Sequence, residues 1–447
     1  MKITVYIALF FAGCAFWTAC SEKLPDNPSG SLGFSVDTLR FDTVFTASRS
    51  SVRRLMVYND SRRAVRTRIF MSCSDSSFRV RVDGVPLNGT YNAEIAGQDS
   101  IYLFVEADID PQHSDIPVPV RCLLYFDVNG SKQQVCLEAY GQDVSVLDNV
   151  TAQRLTWQGD KPCLIRGQLT VDSLYIEQGV HVYLDRGANI YITGKLSAKG
   201  TVDKPIVFSG SRMEKAYRNT PGQWGSIILS DRSSENTLQH TKIRNGTNGL
   251  MAGDAAGKNV TTLEMNAVAI SHMSYSGLMA FAARVTGSNC LITECGYYTV
   301  GLFCGGTGSF IHCTFANYGT VRRKSIPIFT VDRTYEQYEA QIPAVVELRN
   351  SVVYGSMNEE LSLGNAVYYS FRYCLLRTLM DTSPPSFVNV LTADPKFVDP
   401  YDGNFHLEKN SPALDAGEDD AAAMAPEDME GNNRISGKPD LGAFERP

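Results

Sequence analysis

With 447 residues the chain is longer than one ordinary hydrophobic core accommodates, so it either divides into domains or contains a repeat in which each unit buries its face on the next. Lys and Arg number 41 against 48 Asp and Glu, a net charge of -7. That balance argues against a nucleic-acid partner, because neutralising a phosphate backbone needs an excess of surface cations.

The N-terminus reads as a targeting segment over residues 1–19. Lys2 supplies a minimal charged region, and Ile3 to Trp17 is an apolar stretch the length of a signal-peptide core, too short to span a bilayer. The following Trp17-Thr18-Ala19-Cys20 resembles a bacterial lipobox, in which small residues precede a cysteine that becomes the lipidated N-terminus. By that resemblance Cys20 is the lipid anchor; Cys14, after Phe11-Ala12-Gly13, is a competing position, and an ordinary secretory signal is the plain alternative. Residues 20–33 then form a tether, polar and rich in Pro, Gly and Ser. Ser21 is compatible with the outer membrane, and Glu22 resembles the acidic export signal of surface lipoproteins in Bacteroidetes. Which face of that membrane is reached stays open.

Residues 34–146 alternate apolar and polar side chains in short runs: Val52 to Asn59, Val65 to Ser72, Phe78 to Gly84, Ser100 to Asp108, Val120 to Gly130 and Gln133 to Gly141. Period-two runs separated by turn residues predict an immunoglobulin-like β-sandwich, with Asn129-Gly130 as a hairpin turn. The arginines Arg53, Arg54, Arg62, Arg63, Arg66, Arg68, Arg79 and Arg81 are read as the solvent side of these strands rather than as a basic binding face.

From residue 147 to 447 the dominant pattern is a repeat. Segments His240 to Leu250, Ala267 to Leu278, Asn289 to Leu302 and Ser309 to Gly319 share a central apolar residue, a turn and a Gly-hydrophobe phrase. Their centres Ile243, Ile270, Ile292 and Phe315 are 27, 22 and 23 positions apart, the spacing of one coil per repeat in a β-solenoid. Upstream, Gly179, Gly187, Gly194 and Gly200 punctuate alternating strands at the coil corners. Val268, Cys290 and Cys313 stand two residues before three of the centres and are expected to point inward as small hydrophobes. Eleven cysteines less Cys14 and Cys20 leave nine, an odd number that is a poor basis for a disulfide framework, although stacking makes a Cys290–Cys313 bridge geometrically conceivable.

The run Asp172 to Gly210, the phrase Pro221 to Ser230 and the Gly-hydrophobe repeats resemble right-handed parallel β-helix proteins of the pectate-lyase-like superfamily. Ala393 to Glu418 and Lys438 to Glu445 are similar to the closing segment of many secreted bacterial β-helix proteins, and the whole chain resembles Bacteroidetes envelope lipoproteins. The resemblance implies an all-β fold, an N-terminal immunoglobulin-like β-sandwich followed by a right-handed parallel β-helix solenoid. It is less specific for activity, because this architecture hosts lyases, hydrolases, epimerases, adhesins and scaffolds.

Two polar excursions interrupt the repeat and are where a binding surface is expected: Ser211 to Gln223, with Tyr217 and Arg218, and Thr320 to Ile342, with Arg322, Arg323, Lys324, Tyr335 and Tyr338. The coils themselves carry few ionisable groups. His272 and Glu294 occupy equivalent positions, two after their coil centres, with Asn245 and Asn317 in the flanking coils. One reading of this ladder is turn residues satisfying backbone groups; the other makes His272 and Glu294 a proton-transfer pair, with Arg322 or Arg323 nearby for an acidic sugar. Trp224 is expected to pack beneath a loop, and the acidic tail residues Asp394, Asp399, Asp402, Asp415, Glu418, Asp419 and Asp420 are read as turn and capping residues; calcium is the alternative there but lacks the regular ligand spacing of a calcium loop, so no cofactor is evident. The favoured function is a lipid-anchored envelope protein whose solenoid binds glycan or another envelope component. A polysaccharide lyase or glycosidase acting on acidic glycans, and a structural spacer in a surface complex, are the alternatives.

Overall fold

The computed structural model describes residues 31–46, 48–73, 77–114, 116–159, 161–256, 259–319, 325–435 and 437–446. The signal segment, Cys20 and most of the tether lie outside the described residues, as do Arg322, Arg323 and Lys324. The chain is all-β and divides into two compact units, residues 1–112 with 117–142, and residues 113–116 with 143–447.

The first unit contains two five-stranded sheets around one core. One orders Gly33–Phe34, Arg53–Asn59, Asp99–Ala107, Phe78–Val82 and Val85–Pro86; the other orders Thr38–Phe45, Ser131–Gln142, Val118–Val128, Val65–Met71 and Thr90–Ile95. Alternation explains the burial: along Phe78–Val82 the apolar residues are buried and Arg79 and Arg81 exposed. Arg53, Arg66, Arg68 and Arg79 pair with Asp42, Glu94, Asp127 and Asp108, so the charges of these four are balanced locally on the strands. Asn129 and Gly130, both at positive φ, form the expected hairpin turn. Thr38–Phe45 pairs parallel to Ser131–Gln142, and neither it nor Thr90–Ile95 stands out among the alternating runs of the sequence.

The odd cysteine count misleads here. Cys73 and Cys122 form a disulfide, their Cα atoms 5.5 Å apart. The cause is register: Met71 pairs with Leu124 in antiparallel strands, which carries Cys73 opposite Cys122. Cys290 and Cys313 remain free thiols, the Cys290 N–H donating to Cys313 Sγ at 3.4 Å.

The second unit is a 22-stranded ladder in which strands of each coil pair parallel with those of the next. Ile243, Ile270, Ile292 and Phe315 are direct register partners, followed by Val353 and Leu376, all at most 1% exposed. Val268, Cys290 and Cys313 are fully buried beside them. At the corners a residue with positive φ turns the chain: Asn245, His272 and Glu294 on one corner, Asn289, His312 and Asn350 on another. Gly200 serves differently, since a Cβ there would meet the His240 carbonyl oxygen at 2.4 Å.

Both excursions are structured where described. Residues 325–342 carry a small hairpin, Thr334–Tyr335 with Tyr338–Glu339, that sets Tyr335 against Phe281 and Phe303, each 4.9 Å between ring centres. The closing segment packs Phe397, Phe405, Leu407 and Leu441 over the outward residues Ala316, Val352, Tyr354 and Leu375 of the late coils. It is also fastened at the second corner, where the fully buried Arg434 donates to Glu445 at 2.9 Å, the Gly442 carbonyl at 3.0 Å and Asn289 Oδ1 at 3.3 Å.

Removing one member of a buried ion pair leaves its partner's charge uncompensated. Arg434→Ala is therefore expected to destabilise the second unit by about 3–5 kcal/mol, read as a lowered urea midpoint, whereas Arg186→Ala at an exposed turn should leave the midpoint unchanged.

Candidate functional site

One outer face of the coil stack is formed by the short strands that end at the Asn245–His272–Glu294 corner. Parallel register lines up Arg244, Ser271 and Thr293 in one outward column and Lys242, Ala269 and Leu291 in the next. The late coils of this face are covered by the closing segment. Where that cover ends, a cleft of about 530 Å³ opens. Its floor is Arg244, Ala269, Ser271, Leu291 and Thr293; His272 and Glu294 stand at the corner; Arg218 and Asn219 come from the first excursion; and Pro400 to Gly403 of the closing segment supply the opposite wall.

The corner ladder has two kinds of member. Asn245 donates through Nδ2 to the Arg218 and Thr220 carbonyls, both at 3.0 Å, which fastens the excursion to the stack. Glu294 Oε1 accepts the Tyr318 N–H at 2.7 Å, and Asn317 Nδ2 donates to the Cys295 carbonyl at 2.6 Å. These three satisfy backbone groups of the turns. The half-buried His272 differs, since its ring makes no hydrogen bond among the described residues and faces the cleft.

Electrostatics set the character of the cleft. Burial pushes the His272 imidazole below its usual range; the Glu294 charge opposes this and the Arg244 charge adds to it, so the ring is neutral near pH 7. Arg244 is itself pushed below its ordinary value, first by burial and then by the neighbouring Arg218. Its charge reaches the earlier coils too, where burial and then Arg244 lower His181. Neither guanidinium has an acidic partner among the described residues, whereas Arg212 of the same excursion as Arg218 pairs with Glu214. Two cations drawn together without a counter-charge are unfavourable unless an anion can be shared between them.

The opposite wall rests on a short 3-10 turn, Pro400–Asp402, capped by the Asp399 carboxylate, which accepts the Asp402 N–H at 3.2 Å. Tyr401 is 68% exposed and meets Tyr318 edge-on at 5.6 Å between ring centres. An exposed tyrosine face above a polar floor suits stacking on a sugar ring.

Of the residues singled out in the sequence, His272, Glu294 and Arg218 are brought together. Tyr217 lies beneath the Arg212 guanidinium at 4.0 Å, Tyr335 is packed on Phe281 and Phe303, and Tyr338 is exposed on the second excursion; none of the three lines the cleft. Trp224 is 1% exposed and donates to the Arg244 carbonyl at 2.9 Å, the packing role expected of it. Among the described residues no group of three or more His, Cys, Asp or Glu could hold a metal ion. Arg244 and Tyr401 are not among the residues the sequence singles out, and Asp402 reads there as a turn and capping residue. The sole signal for Arg244 is its place immediately before ladder residue Asn245; Tyr401 and Asp402 reach the cleft across more than a hundred residues of sequence.

No protein-family model matches the chain, and no curated protein does. Among solved structures it is similar to the Agl-KA catalytic domain at 11% identity, covering 72% of this chain and 76% of that one with a TM-score of 0.21. It is also similar to the catalytic domain of a GH87 α-1,3-glucanase variant in complex with nigerose, at 9% identity, covering 77% and 80% with a TM-score of 0.18. Scores this low transfer neither a fold nor an activity.

His272 has φ +56, a conformation that asparagine tolerates and β-branched residues resist. His272→Asn should unfold within about 1 kcal/mol of the parent and His272→Val should lose about 1–2 kcal/mol more, as measured by urea denaturation.

Proposed function

We propose that this protein is an outer-membrane lipoprotein, anchored through Cys20, that binds an acidic glycan of the cell envelope or its surroundings. In this reading the first unit is an immunoglobulin-like sandwich and the second a right-handed parallel β-helix, the hand that strand-to-strand crossovers overwhelmingly take. The Cys73–Cys122 disulfide supports an oxidising compartment, as export across the inner membrane would provide. The observation that carries the binding function is the pair Arg218 and Arg244, lining one cleft without an acidic partner among the described residues. A saccharide carboxylate accepting from both would relieve their mutual repulsion, with Tyr401 available to stack on the ring.

A second reading, a polysaccharide lyase, is favoured by one arrangement. β-Elimination needs a base for the proton α to the carboxylate and a cation to neutralise that carboxylate. The neutral His272 ring and the Arg244 guanidinium share the cleft and fit those roles. A hydrolase needs two available carboxyl groups, and Glu294, only 2% exposed, already holds the Tyr318 amide.

Calorimetric titration with oligogalacturonate, oligoalginate and a neutral xylan oligosaccharide tests the proposal. Acidic oligomers should bind, more weakly as salt rises, and Arg244→Gln should cost about tenfold or more in affinity, the loss of one charge-assisted hydrogen bond. Binding should tighten as pH falls through the lowered pKa of His272, where the imidazole gains a positive charge. Failure of every acidic oligomer to bind, with a co-purifying protein instead, would support the spacer role and overturn this reading. Ultraviolet absorbance from a conjugated product, lost in His272→Asn, would establish the lyase.

A further inference from the structure

The cleft is not uniformly cationic. Arg218 and Arg244 occupy the excursion side and the floor, while Asp402 stands with Tyr401 on the wall supplied by the closing segment. Asp402 makes no ion pair with either arginine and its side chain has no partner among the described residues; only its backbone N–H is used, by Asp399. The segment that carries this wall is anchored by packing, since Phe397 and Phe405 meet Tyr318 at 6.2 Å between ring centres and bury themselves on the late coils. Opposite charges thus line one cleft without pairing, and its volume suits a disaccharide-sized ligand.

A uniform polyanion would meet repulsion at Asp402 wherever its next carboxylate falls on that wall. A ligand that presents an anion to the arginines and a cationic or strongly donating group to Asp402 satisfies both sides at once. We infer that the cleft takes a saccharide carrying both a carboxylate and a free amine on neighbouring residues, the carboxylate read by Arg218 and Arg244 and the ammonium by Asp402. This inference rests on the acidic-glycan reading and narrows it to an amphoteric substrate class.

The probe is an oligosaccharide of alternating glucuronate and glucosamine, prepared fully N-acetylated and fully de-N-acetylated, titrated against the full chain at pH 6.5 where the free amine is largely protonated. The de-N-acetylated form should bind about tenfold more tightly, equivalent to roughly 1.4 kcal/mol. Asp402→Asn should erase that preference and leave affinity for the N-acetylated form unchanged or slightly raised, while Arg244→Gln should weaken both. Glu264→Gln, the same charge change on an exposed strand residue elsewhere, should keep the preference. Equal affinities for the two forms, or a preference that survives Asp402→Asn, would overturn the inference while leaving acidic-glycan binding intact. If neither form binds and the oligomers of the preceding titration also fail, both readings fall together.

Discussion

The structure depends on parallel stacking in strict register, coil upon coil, with residues of positive φ such as Asn245, His272 and Glu294 turning the chain at a shared corner. Ile243, Ile270, Ile292 and Phe315 lie directly over one another, so each coil completes the burial begun by its neighbour. Side chains alternate in direction along a strand, so a slip of one residue would turn this whole row outward. The positive φ at Asn245, His272 and Glu294 keeps successive coils equivalent, and the same equivalence assembles a column of polar side chains at the corner. A requirement of backbone geometry thereby creates the row of groups from which the cleft is made.

A repeating stack has no intrinsic reason to form a concave site; the departures from repetition make one. The first excursion is tied down by Asn245, which brings Arg218 over the corner. The closing segment covers the late coils with an aromatic layer and stops short, leaving Pro400 to Gly403 as a wall. Its other fastening, the buried Arg434 with Glu445 and Asn289, lies at a different corner. Three stretches distant in sequence therefore define one cleft, and its polarity follows from which of them contributes cations and which an acid.

The ladder residues show how one pattern serves two ends. Asn245, Glu294 and Asn317 are consumed by backbone hydrogen bonds, which is what polar residues at turns ordinarily do. His272 occupies the same register and is left facing the cleft, neutral because burial outweighs the nearby carboxylate. Register equivalence was readable from spacing alone. The distinction between a residue that satisfies a turn and one that faces a ligand was not, because it depends on which amides and carbonyls lie within reach.

The sequence by itself determined the all-β character, the coil period, the inward rows through Val268, Cys290 and Cys313, and the pairing of positions His272 and Glu294. These follow from local periodicity and turn chemistry, which short stretches of chain encode directly. Only the tertiary structure decided that Cys73 meets Cys122, that Tyr335 is packing while Tyr401 is rim, and that Arg244 and Asp402 face one cleft. Each of those outcomes depends on two segments separated by tens to hundreds of residues arriving at one place, and no local pattern records that meeting.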